Sequence, residues 1–159
     1  MIAAARDKCV CIHTPREIDG IREASVATAT VLAQLAAAVR PGITTLAIDQ
    51  MAADLIAQTG GTSAFYNYRG FPGQLCVSVN DEVVHGIGRA GRVIQPGDLV
   101  SLDVGVNLNG YVGDTATTIM VGPPPDQRIA NLMKATRESL DAGIAAACSG
   151  NYVNAIGAA

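Results

Sequence analysis

The chain has no tryptophan, two phenylalanines, four tyrosines and two histidines among its 159 residues. Charge is also sparse, at 16% of residues with a formal net charge of −3. That balance removes the basic footprint that nucleic acid or an anionic membrane surface would require. There is no apolar run of about 18 residues, so no transmembrane helix is expected. The opening MIAAARDKCVCIH lacks the layout of a signal peptide. Cys9, Cys11, Cys76 and Cys148 are therefore expected as reduced thiols in the cytosol. What is abundant is aliphatic: 49% of residues are hydrophobic, which at this length suits one domain over 1–159 with a real core.

One local absence carries chemistry. No Lys or Arg occurs between Arg92 and Arg128, yet Asp103 and Asp114 both lie there. The stretch 95–122, QPGDLVSLDVGVNLNGYVGDTATTIMVG, reads as two alternating apolar runs around Asn107-Leu108-Asn109-Gly110. Alternation argues strands, and Asn-Gly between them argues a hairpin. Val100, Leu102, Val104 and Val106 share one face, and Ser101, Asp103 and Gly105 share the other. With Leu108-Asn109 as the turn, Asp103 faces Asp114; with Asn109-Gly110 as the turn, it faces Ala116 and Asp114 is its diagonal neighbour. Either register holds the carboxylates on one face, roughly 5–8 Å apart at Cβ. Two readings stay open: oxygen ligands for one or two divalent cations, or a solvated sheet face, which lacks a local cation to balance it.

Elsewhere the signals are mostly architectural. Thr14-Pro15-Arg16-Glu17 is a capped helix start with Pro at the first position, and the helix should run to about Val39 before Arg40-Pro41-Gly42 stops it. Thr44 or Thr45 caps a second helix ending at Gly60-Gly61. Helices followed by strands suggest an α+β arrangement. Residues 62–74 gather Phe65, Tyr66, Tyr68 and Phe71 on a loop, fit either to wall an apolar pocket or to fold onto the core. Leu75–Val79 reads as a strand, and His85 follows between the aromatic loop and the acidic hairpin. Cys9, Cys11 and His13 would share one face of a strand, but a metal site there lacks a fourth ligand. A third helix is expected from about Gln127 to Ala147 with Ile129, Leu132, Met133 and Leu140 on its face, and a further helix opens after Asn151.

HTPREIDGIREAS, NYRGFPGQLCVSVNDEVVHGI and the acidic hairpin, in that order and spacing, make the chain from about Ile12 onward resemble the first half of type I methionine aminopeptidases. The resemblance implies a pita-bread fold of two pseudo-symmetric halves around two divalent metal ions held by two Asp, one His and two Glu. Asp103 and Asp114 match the two Asp, with Asp114 bridging both metals. His85 matches a catalytic histidine that contacts substrate and helps stabilise the tetrahedral intermediate, Tyr68 and Cys76 match the methionine pocket, and Phe65 stands where it would narrow that pocket. The implied reaction is removal of the initiator methionine by metal-activated water, with Co, Mn, Fe or Zn as the ion. The implied partner is the N-terminal peptide of a nascent protein, with ribosome association as an option and the cytoplasm as the setting. The other three ligands and the general-base Glu belong to the family's second half, so the 159 residues are expected to form an incomplete domain. His13 is on the wrong segment to replace them, and Gly88 stands where the family usually has Pro. Two alternatives remain: a non-catalytic peptide-binding scaffold of the same fold, and self-association that builds a composite site. A half-fold should also expose an apolar patch.

Overall fold

The computed structural model describes residues 12–159. Cys9 and Cys11, and with them the strand considered for Cys9, Cys11 and His13, lie outside the described residues. His13 itself is exposed at the start of the first helix, with Nδ1 3.9 Å from Glu17.

Helix α1 spans Pro15–Ala38 and begins as a full capping box. Thr14 Oγ1 accepts from the Glu17 N–H, and the Glu17 carboxylate accepts from the Thr14 N–H at 2.7 Å. Helix α2 spans Thr45–Gln58, and Thr44 is its cap. Four strands follow: β1 Thr62–Ser63, β2 Cys76–Val79, β3 Leu99–Leu108 and β4 Tyr111–Met120. All pair antiparallel with β3. Strands β1 and β2 share one edge of β3, and β4 takes the other.

Both helices cover one face of this sheet, where Val100, Leu102, Val104 and Val106 are fully buried against Leu35, Ile48 and Ala52. Helix α1 crosses β4 so closely that a Cβ at Gly113 would overlap Thr28 and the Ala24 carbonyl. With no large ring in the core, close backbone approach and aliphatic interlock fill the space.

The hairpin turns at Asn109-Gly110, both with positive φ (53° and 85°), as a tight turn matched to strand twist requires. Asp103 therefore pairs with Ala116 and Asp114 with Gly105; the alternative with Leu108-Asn109 as the turn is not adopted. The aromatic stretch also contains β1, which alternation could not reveal because it is two residues long. Helix α3, Gln127–Ala146, has no buried residue. Leu132, Leu140 and Ile144 are more than half exposed, and α3 packs mainly against the short α4, Asn154–Ala158. The expected apolar patch is here. No helix among the described residues is long and apolar enough to cross a membrane.

Candidate active site

The sheet face turned away from α1 and α2 carries the alternate residues of the hairpin, and on it Asp103 and Asp114 are diagonal neighbours. They lie close enough to share a hydrogen bond. Burial first, then the charge and hydrogen bond of Asp114, push the Asp103 carboxyl above its ordinary range, and His85 opposes the shift. This is negative charge held near negative charge, a poor solution for a merely solvated face and a suitable one for a hard cation with oxygen ligands.

Two loops raise walls around the pair. The first runs from β1 to β2. Ser63 Oγ accepts from the Phe65 and Tyr66 N–H groups, both at 3.1 Å, and donates to the Gln74 carbonyl at 2.7 Å, which closes the loop on itself. Phe65 then lies over Gly105: a Cβ there would come 2.7 Å from Phe65 Cε1. A glycine between the two Asp positions thus lets an aromatic ring seat beside them, a role to which glycine in a strand interior is a pointer.

The second wall carries His85. Val77 N–H donates to the Gly86 carbonyl and Gly86 N–H to Ser78 Oγ, both at 3.0 Å. These bonds lay residues 85–86 along β2, and His85 takes φ 58° as the chain turns. Cys76, at the start of β2, completes the floor. Burial above all, then Asp103 and Asp114, push its thiol up to about 11. Cys76 is therefore a protonated, small apolar surface at neutral pH and not a thiolate nucleophile.

These walls enclose a cleft of about 540 Å³ that Phe65, Tyr68, Cys76, His85, Asp103 and Asp114 all line. The structure thus brings together all six site residues expected from the sequence. Phe71, Ala64 and Arg69 also line it and were not among them. The donor set is partial: among the described residues no cluster of three or more His, Cys, Asp or Glu is arranged to hold a metal ion. The two carboxylates fit one side of a divalent centre.

Asp49 on α2 ties the walls together. Its Oδ1 accepts from the N–H groups of Gln74 at 2.6 Å and Leu75 at 3.3 Å, and its Cβ borders Gly88 beyond His85. Asp49→Ala is expected to cost about 2 kcal/mol, since it leaves these partly buried donors without an acceptor. Hydrogen exchange should speed up at Gln74 and Leu75; unchanged protection there would contradict this role.

A family model described as metallopeptidase family M24 matches residues 19–159. The chain is 45% identical over 145 residues to methionine aminopeptidase of Treponema pallidum, covering 91% of this chain and 56% of that protein. It is 45% identical over 135 residues to methionine aminopeptidase 1 of Mycobacterium tuberculosis, covering 85% of this chain and 50% of that one. In structure it resembles methionine aminopeptidase from Thermotoga maritima, with a TM-score of 0.81 and 36% identity over 86% of this chain and 54% of that chain. The chain spans about half the length of the curated relatives it matches.

Proposed function

Because the chain belongs to metallopeptidase family M24, we propose that it carries the two-Asp side of a methionine aminopeptidase centre. The reaction would be hydrolysis of the bond after an N-terminal methionine, the substrate the N-terminus of a newly made protein, and the setting the cytoplasm. The 159 residues would be part of one catalytic domain. The observation that carries this reading is the Asp103–Asp114 pair, with no ion-pair partner among the described residues, in a cleft walled by aromatic rings and His85.

Asp103 and Asp114 would hold divalent ions, with Asp114 shared between two. Such ions, when bound, supply a water of lowered pKa and a Lewis acid for the scissile carbonyl. The chain's own residues do the rest on this side. Phe65, Tyr68 and Cys76 would hold the methionine side chain, whose flexible thioether suits a wall of rings and sulfur. His85 would hydrogen-bond the peptide beside the scissile bond and orient it for attack. The remaining ligands and the general base would come from residues other than those described, consistent with the two-carboxylate donor set.

The test is calorimetric titration of Mn²⁺ or Co²⁺ into the 159-residue chain after EDTA treatment, followed by assay of methionine release from Met-Ala-Ser. Metal uptake is expected, with little or no release, because the ligand set is partial. No uptake at millimolar metal would overturn the reading. Rapid release by the isolated chain would overturn the division of ligands and favour a composite site built by association.

A further inference from the structure

His85 lines the cleft, yet no group among the described residues grips its ring. The imidazole makes no ion pair there. It makes no side-chain hydrogen bond either. A histidine that works on a substrate is ordinarily oriented by a partner on its second ring nitrogen. Here the direction of the ring is left to the backbone that carries it. That backbone has φ 58°, a left-handed conformation that a residue with a side chain enters at a cost.

The holding point is Ser78. On β2, Cys76 and Ser78 share the face that floors the cleft, opposite Asp103 and Ser101 of β3. Ser78 is only 4% exposed, and Gly86 passes so close that a Cβ there would come 2.7 Å from the Ser78 Cα. Ser78 Oγ accepts from the Gly86 N–H at 3.0 Å in a buried bond, and the Gly86 carbonyl accepts from the Val77 N–H at 3.0 Å. Both polar backbone groups of Gly86 are thus fixed to β2, one residue after the strained one. The loop's other anchor is Glu82, whose Oε2 accepts from the Val79 N–H at 2.8 Å. Between the anchors Val83 and Val84 are 88% and 64% exposed, so they add little packing. The Gly86 clamp is therefore the restraint nearest the imidazole.

We propose that Ser78 is a positioning residue for His85: its hydroxyl holds the Gly86 N–H and so aims the imidazole into the cleft. This rests on the aminopeptidase reading above, in which His85 meets the peptide beside the scissile bond, and adds the residue that aims it. A serine suits the task. Alanine would leave the Gly86 N–H buried without an acceptor, and a longer side chain would lift the passing chain off β2.

The experiment is NMR of the metal-free 159-residue chain in EDTA, comparing wild type, Ser78→Ala and Ser101→Ala. Ser101 is the control: its hydroxyl lies on the same face but is bonded to Thr118. A left-handed residue brings its own N–H and Cα–H together, so a strong cross-peak between them marks the His85 conformation without any ligand. That cross-peak should be strong in wild type and Ser101→Ala and weakened in Ser78→Ala. Gly86 amide exchange should be about tenfold faster in Ser78→Ala, the equivalent of one buried hydrogen bond. On titration with Met-Ala-Ser amide, the His85 ring signals should shift in wild type, and most of that shift should be lost in Ser78→Ala while the Phe65 and Tyr68 signals still respond. A purely structural Ser78 would lower the urea midpoint and leave the His85 cross-peak and ring shifts unchanged. That result, or an equal loss in Ser101→Ala, would overturn the role of Ser78 and leave the aminopeptidase reading standing. A wild-type chain in which no cleft signal responds to the peptide at several millimolar would overturn the peptide-cleft reading itself, and the role of Ser78 with it.

Discussion

Asp103→Asn is expected to lower affinity for Mn²⁺ by at least about 100-fold, since even groups that only orient a metal's ligands cost 10–100-fold when removed. It is also expected to stabilise the metal-free protein. Asp103 is held with its carboxyl raised by burial and by Asp114, so the folded state resists the charge that the unfolded chain accepts freely. Near the ordinary Asp pKa, about 4, the unfolded chain releases its proton first. Between that value and the raised folded one, the native state binds more protons, and stability falls as pH rises. Above the raised value the deficit is constant and fully present at neutral pH. Asn keeps the shape and can still donate to Asp114, but it carries no charge.

The variant should therefore be more stable than wild type at pH 7 by on the order of 1 kcal/mol, as expected when a strained functional site is relaxed. The difference should vanish at the acid end. Glu17 and Asp126, whose pKa values are lowered by hydrogen bonds to Thr14 and Arg128, act in the opposite direction. Their stabilisation is lost as pH falls, equally in both proteins, so it cancels in the comparison. Urea midpoints in EDTA across this pH range decide the matter. A variant less stable than wild type at neutral pH, or a difference independent of pH, would show that the pair is not a site of stored repulsion.

Gly86→Ala should unfold the His85 wall. A Cβ at this position would overlap the Val77 carbonyl oxygen and crowd the Ser78 Cα, both backbone atoms of β2 that cannot step aside. Gly86 is buried, and the bonds at stake are Val77 N–H to the Gly86 carbonyl and Gly86 N–H to Ser78 Oγ. Overpacking costs about 1–3 kcal/mol, and a buried donor or acceptor left unmet adds about 1–3 kcal/mol. A total near 3 kcal/mol would lower the urea midpoint by roughly 1.5 M. Gly91→Ala is the control: nothing lies within 4 Å of an added Cβ, and its φ is not positive. It should be neutral or slightly stabilising, because alanine restricts the unfolded chain. Equal midpoints for the two variants would mean that residues 85–86 are not seated against β2.

Much of the scaffold was legible because it is written in short-range patterns. The capping box at Thr14, Pro15 and Glu17, the alternation in 99–108 and the Asn109-Gly110 turn each need only neighbouring residues to act, and each reads directly. The hairpin alone left two registers open. Tertiary packing of the Val100–Val106 face against α1 and α2 is compatible with either, and the turn backbone selected between them. The third helix was legible in its bounds but not in its partner: an apolar stripe states that a face prefers burial, not that a partner is present among the described residues.

The sequence by itself determined the three long helices, strand β2 and the hairpin, the shared face of Asp103 and Asp114, and, through the length of its matching motifs, the resemblance to a family. Only the tertiary structure decided how the walls meet. Asp49 on α2 reaches the 62–74 loop, Phe65 folds over Gly105, and Gly86 presses on Val77 so that His85 overlooks the acidic pair. The left-handed backbone of Arg69 and its place over the Tyr68 ring are likewise known only from the structure. The physical reason is one of range. Helix caps, strand alternation and turns are set by energies between residues a few positions apart, whereas a cleft is set by close packing between segments distant in sequence, where a missing Cβ on a glycine decides what can approach.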